Sequence, residues 1–184
     1  MDFTYLHIIP ECYADTNLVE TLLRIKGVNH QKSCGQVTRK MQQSFENDFA
    51  VGIIDLDKVQ SKYAEECNVI AFSNEFSVCR HSNSHHYLIK IHNVLEKFLI
   101  NCADEVGVDF SLIGLSKEKE MLMQRTKKQE AKTDSQLSNL FKKLSSATEM
   151  SLLKDVLLYL HSEKFNVKNE SIISIFQKYG FMTE

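Results

Sequence analysis

The stretch Phe49-Ala50-Val51-Gly52-Ile53-Ile54-Asp55-Leu56 (FAVGIIDL) decides the reading of this chain. It is apolar without interruption until Asp55, as expected of a central parallel strand covered by helices on both faces. Upstream, Phe3 to Ile9 (FTYLHII) is a short β-rich run stopped by Pro10. Two amphipathic helices separate these strands. Ala14 to Ile25 places Leu18, Leu22 and Ile25 on one face, with Asp15 or Thr16 as N-cap and Gly27 ending it. Gln36 to Asn47 carries Val37, Met41 and Phe45 at spacing four, and the polar Val28 to Gly35 between the helices is read as extended. Downstream, Val69 to Phe72 (VIAF) and Tyr87 to Ile91 read as strands and Asn93 to Val106 as a helix. This order predicts an α/β fold, a mostly parallel sheet flanked by helices.

After Gly114 the strand signal stops. Lys117 to Ser145, Glu149 to Glu163 and Lys168 to Tyr179 all read as helix. The chain therefore divides into an α/β core, residues 1–115, and a C-terminal helical appendage, residues 116–184, either packed on that core or folded over it. Its 184 residues are 43% hydrophobic and 25% charged, which suffices for a proper core. A net charge of -2 excludes a uniformly basic nucleic-acid coat, although Lys117 to Lys143 holds eight Lys/Arg against four Asp/Glu. One proline and six glycines exclude collagen-like and linker-like readings. No stretch approaches the length needed to cross a bilayer. Five widely spaced cysteines without a CxxC pair, and no signal-peptide pattern, lead to the expectation of reduced thiols in a cytoplasmic protein.

The central strand delivers Asp55 and Asp57 at its C-terminal end, where ligands bind in open parallel sheets. Residues i and i+2 of an extended segment point the same way, so both carboxylates can face one cation. Hard oxygen ligands of this kind suit Mg²⁺ or Mn²⁺. Glu11 ends the first strand in the equivalent position, and Asp15 opens the helix that follows. Carboxylates gathered at one sheet edge repel unless a cation or protons compensate, so they seldom collect for stability alone.

The run Ile8-Ile9-Pro10-Glu11-Cys12-Tyr13-Ala14-Asp15, followed by a helix and then by Val51-Gly52-Ile53-Ile54-Asp55-Leu56-Asp57-Lys58, resembles the toprim domain of topoisomerases, bacterial primases and nucleases of the overcoming-lysogenisation-defect type. The resemblance covers about residues 1–115, and Cys12 stands where that family often has Gly. It implies a Mg²⁺-dependent (or Mn²⁺-dependent) site acting on phosphodiester bonds. Glu11, Asp55 and Asp57 are its catalytic and metal residues, with Asp15 a further metal ligand. Because the chain is short and has no nucleophilic Tyr motif of the topoisomerase type, a nuclease is the expected activity. Small toprim-like proteins encoded beside ATPases in bacterial phage-defence islands are similar in size. This adds an antiviral effector role, an ATPase partner and a homodimer to the expectations.

Lys32, Arg39, Lys40 and Lys58 are the expected nucleic-acid contacts around this edge. Arg125, Lys127, Lys128 and Lys132 read as a solvated helix face, since no aromatic residues interleave with them. The segment Cys79 to His92 (CRHSNSHHYLIKIH) matches no standard zinc spacing and reads as a surface loop. Two rival enzyme readings fit less well. A haloacid-dehalogenase-like phosphatase needs its DxD on the first strand, and a PIN-type nuclease needs Asp15-Thr16-Asn17 directly after the strand, whereas Pro10 and Glu11 intervene. The non-enzymatic alternative is a catalytically degenerate toprim-like scaffold that binds a partner.

Overall fold

The computed structural model describes residues 5–56 and 60–181. Its centre is a five-stranded sheet formed by β1 (Ile8–Pro10), β2 (Ala50–Asp55), β3 (Cys67–Phe72), β4 (Phe76–His81) and β5 (His86–Ile91), in the order β1-β2-β5-β4-β3. β1 pairs with β2, and β2 with β5, in parallel; β5–β4 and β4–β3 are antiparallel. The sheet is therefore mixed, which corrects the expectation of a mostly parallel one. The reason is local. Residues 73–75 and 82–85 are the only links between β3, β4 and β5, and connections that short can join only antiparallel strands. The histidine-rich segment read as a loop is this hairpin. Residues 28–31 run along the free side of β1, where the Asn29 amide donates to the Ile8 carbonyl at 2.9 Å and that of Gln31 to Pro10 at 2.9 Å.

Eight α-helices surround the sheet among the described residues: α1 (Tyr13–Leu23), α2 (Cys34–Ser44), α3 (Lys62–Glu65), α4 (Leu95–Val106), α5 (Lys119–Thr126), α6 (Ser135–Lys143), α7 (Thr148–Glu163) and α8 (Asn169–Lys178). The N-cap of α1 is Cys12, one turn earlier than expected, and Arg24 in a left-handed conformation ends it before Gly27 is reached. The expected helix over Lys117 to Ser145 is interrupted after Thr126 and restarts at Asp134. Its carboxylate caps α6 through the Gln136 and Leu137 amides and ion-pairs with Arg125 Nε at 2.6 Å.

The two faces of the sheet are covered unequally. Val37 and Met41 of α2 pack with Ile9, Ile54 and Leu88 on one side. Gly52 permits this approach, because a Cβ there would lie 2.6 Å from Leu88 Cδ2 and 2.8 Å from Val37 Cγ1. On the other side a single larger core joins Val51, Ile53 and Phe76 of the sheet to Leu137 and Phe141 of α6, Leu153 and Leu157 of α7, and Phe176 of α8. Each such side chain contributes about 1.5–3 kcal/mol when fully buried. The helices after residue 116 thus pack on the sheet and share one core with it. Polar ties run the same way: Glu149 of α7 accepts from Ser73 Oγ at 2.6 Å and from the Asn74 amide at 3.0 Å in the β3–β4 turn. Among the described residues, no helix is long and apolar enough to cross a membrane.

Candidate functional site

β1, β2 and β5 run parallel and so bring their carboxyl ends to one edge. Glu11 follows Pro10 directly, and its amide donates to the Ile53 carbonyl at 3.0 Å, which carries the ladder one residue beyond β1. Its carboxylate is buried, and Oε2 accepts from the Asp55 amide at 3.2 Å. The structure thus brings the Glu11 carboxylate to the backbone of Asp55, at the ends of two neighbouring strands. Asp57 and Lys58 lie outside the described residues.

A third carboxylate escaped sequence reading. Glu96 stands in the first turn of α4, just beyond β5, and is buried. Val94 gives α4 no side-chain cap, so the Glu96 charge complements the exposed amides of that helix start. Its Oε1 also accepts from Thr126 Oγ1 of α5. The available signal was positional: Glu96 occupies the first turn after an apolar strand, as Asp15 does. Assigning β5 to the parallel part of the sheet would have singled it out.

Asp15 behaves differently from its neighbours. Its Oδ2 accepts from the Cys12 amide at 3.1 Å while Cys12 Sγ accepts from the Asp15 amide at 3.3 Å, a reciprocal capping box at the start of α1. Oδ1 is buried with no hydrogen-bond partner among the described residues. Burial pushes the Asp15 carboxyl up to about 7; hydrogen bonds from Cys12 oppose this, and the Glu11 and Glu96 charges add to it. Burial likewise raises the Cys12 thiol well above its ordinary range, which keeps it protonated and suits a cap better than a nucleophile. Thr16 and Asn17, the residues of the PIN-type reading, are spent on structure. Thr16 Oγ1 bonds the Cys12 carbonyl, and Asn17 bonds the segment between α5 and α6.

At the same edge lies a cavity of about 310 Å³. Glu11, Asp55 and Glu96 supply its carboxylates, and Lys32 and Lys127 its cations. Neither lysine forms an ion pair with a carboxylate among the described residues, so both charges are available to a ligand. Tyr13 and His30 add stacked rings with centroids 4.2 Å apart. Met123 and Thr126 come from α5 and Lys127 caps its end, so the C-terminal helices build part of the wall. Of the other expected contacts, Arg39 and Lys40 lie on α2 and do not line the cavity, nor does Asp15. Arg125 is committed to Asp134, which removes it from the solvated basic face.

The oxygen-rich donor set suits a hard divalent cation, and the unpartnered Asp15 Oδ1 beside Glu11 is a buried oxygen of the same kind. Among the described residues no three His, Cys, Asp or Glu gather into a group able to hold a metal ion. The histidines of the β4–β5 hairpin are occupied otherwise. His81 stacks on Tyr63 at 4.1 Å, and His86 Nε2 bonds the Phe45 carbonyl at 2.7 Å while its Nδ1 bonds the Tyr63 hydroxyl. Compared with protein-family models, with curated proteins and with solved structures, the chain matches none.

Proposed function

We propose that this protein is a divalent-cation-dependent nuclease of toprim-like type, with Glu11 and Asp55 at its centre and Asp57 as the third acid. The observation that carries the reading is that Glu11, hydrogen-bonded to the Asp55 amide at the carboxyl edge, and Asp55 line one cavity with two lysines that form no ion pair among the described residues. Such a mixture suits a phosphodiester, whose anionic oxygens need cations and whose cleavage needs acid–base groups. Mg²⁺ or Mn²⁺ bound by these carboxylates would neutralise phosphate charge and favour ionisation of water. In hydrolysis, the water oxygen bonds to phosphorus, the bond to the leaving sugar oxygen breaks, and that oxygen takes up a proton. Lys32 and Lys127 hold phosphate oxygens, and Glu11 accepts the proton of the incoming water. Asp55 positions Glu11 through its amide and offers its own carboxylate to the cation. A cytoplasmic location, an antiviral role, an ATPase partner and a homodimer complete the proposal.

The test is cleavage of labelled DNA, RNA and tRNA with Mg²⁺ or Mn²⁺ by the wild type and by Asp55→Ala. Loss of about 10³-fold or more in the variant is the expected result for removal of a central acid. Equal rates, or no cleavage of any substrate by the wild type, would leave the partner-binding scaffold as the better reading.

A further inference from the structure

We infer that the cavity takes the terminal nucleotide of a nucleic-acid strand, so that cleavage begins at a chain end. This rests on the phosphodiester-cleaving reading above and specifies its substrate. The first ground is room. At about 310 Å³ the cavity lies at the lower limit of the roughly 300–1,000 Å³ typical of small-ligand pockets, room for about one nucleotide.

The second ground is the wall that α5 raises on one side of it. A bare parallel-sheet edge is an open shelf, along which a continuous backbone can lie. Here α5 stands over that shelf and is pinned at two points: Leu122 is buried in the main core, and Thr126 donates to Glu96 at the start of α4. Lys127 follows directly, so the cation on this wall is held by the same anchored helix end. Lys32 enters from another element, the turn before α2. The two cations match the few anionic oxygens of one terminal phosphodiester.

The third ground is a single aromatic platform. Tyr13 and His30 form one ring pair, the surface that one base requires; a site that tracks a longer strand presents several such rings in series. His30 Nδ1 is engaged by Thr16 Oγ1 at 3.1 Å, and its Nε2 makes no hydrogen bond among the described residues.

The experiment compares one oligonucleotide sequence in linear and covalently circularised single-stranded forms, as DNA and as RNA, with the full chain and Mn²⁺. The expected result is progressive shortening of the linear form, release of mononucleotides and an intact circle. Cutting of the circle at the rate of the linear strand overturns end recognition while leaving phosphodiester cleavage standing. Cutting of neither overturns both. Binding supplies a second readout: with Ca²⁺ and the Asp55→Asn variant, the linear form should outcompete the circle for a labelled linear strand. Lys127→Ala, a change at an exposed position, should weaken that binding about tenfold. Equal competition by the circle, or unchanged affinity in Lys127→Ala, counts against the inference.

Discussion

Asn17 Nδ2 donates to the carbonyl oxygen of Ala131 across 2.8 Å, joining α1 to a residue 114 positions further along the chain. The same amide nitrogen reaches the Asp134 carbonyl at 3.0 Å, while Oδ1 accepts from Ser138 Oγ at 2.7 Å and Thr21 Oγ1 at 3.1 Å. All four hydrogen-bonding positions of a buried amide are thereby used. Asn17→Ala strands several of these partners and should cost about 2–3 kcal/mol, read as a lower urea midpoint with unchanged slope. Because the same contacts and the same core link both parts of the chain, unfolding should remain one transition. Residues 1–115 expressed alone should fail to give that transition.

Gly52 is the closest approach of β2 to α2. A methyl group there meets Leu88, Val37 and Met41 Sδ, the last at 2.9 Å. All three are side-chain ends able to shift somewhat, so Gly52→Ala should fold but lose about 1–3 kcal/mol. Gly52→Val should lose more. Thermal denaturation of the two variants tests the order.

Asp15 should make the metal-free protein sensitive to alkali. Its carboxyl titrates near 7 when folded and near the ordinary carboxylate value when unfolded, so between these values the folded state binds more protons. Stability from this group therefore falls as pH rises from about 4 to 7. Asp15→Asn, which keeps an acceptor for the Cys12 amide, should gain on the wild type across that range, by a few kcal/mol at most. His7 works in the opposite direction. Burial first, then the His161 and Lys164 charges, bring it down to about 4, so protonation of the unfolded chain below pH 6.5 favours unfolding. Its loss of stability grows as pH falls to about 4, and His7→Phe should blunt it. Melting curves of both variants against wild type, from pH 4 to 8, separate the two groups.

Clustered carboxylates should reverse their effect on stability when a cation binds. Without divalent metal, Asp55→Asn should melt higher than the wild type, because one charge of a repelling group is gone. With Mg²⁺ or Mn²⁺ at 100 times its dissociation constant, the wild type should gain about 2.7 kcal/mol and the variant much less. Differential scanning calorimetry with and without metal makes the comparison. An equal gain in both proteins would place the binding elsewhere.

The most legible feature in the sequence was the strand ending in Asp55, because an apolar run of that length has few other ways to be buried. Glu11 was legible for the same reason, as the first charge after a strand, and its meeting with Asp55 follows once two such strands lie side by side. β4 was missed because Phe76 to His81 mixes Ser77, Arg80 and His81 with its apolar residues. With β4 went the hairpin and the antiparallel half of the sheet. Glu96 was missed because its importance depends on which strand precedes it and in which direction that strand runs.

Local chemistry in the chain determined the strands of the parallel half, the helices between them, and the two acids at the carboxyl edge. Periodicity and strand ends are properties of neighbouring residues, and they survive without knowledge of the rest. Only the tertiary structure decided that the C-terminal helices enter the core, that Asn17 is a brace, and that α5 walls one side of a cavity at the sheet edge. Those outcomes depend on apolar faces and amides more than a hundred positions apart meeting one another, and no local pattern specifies such partners.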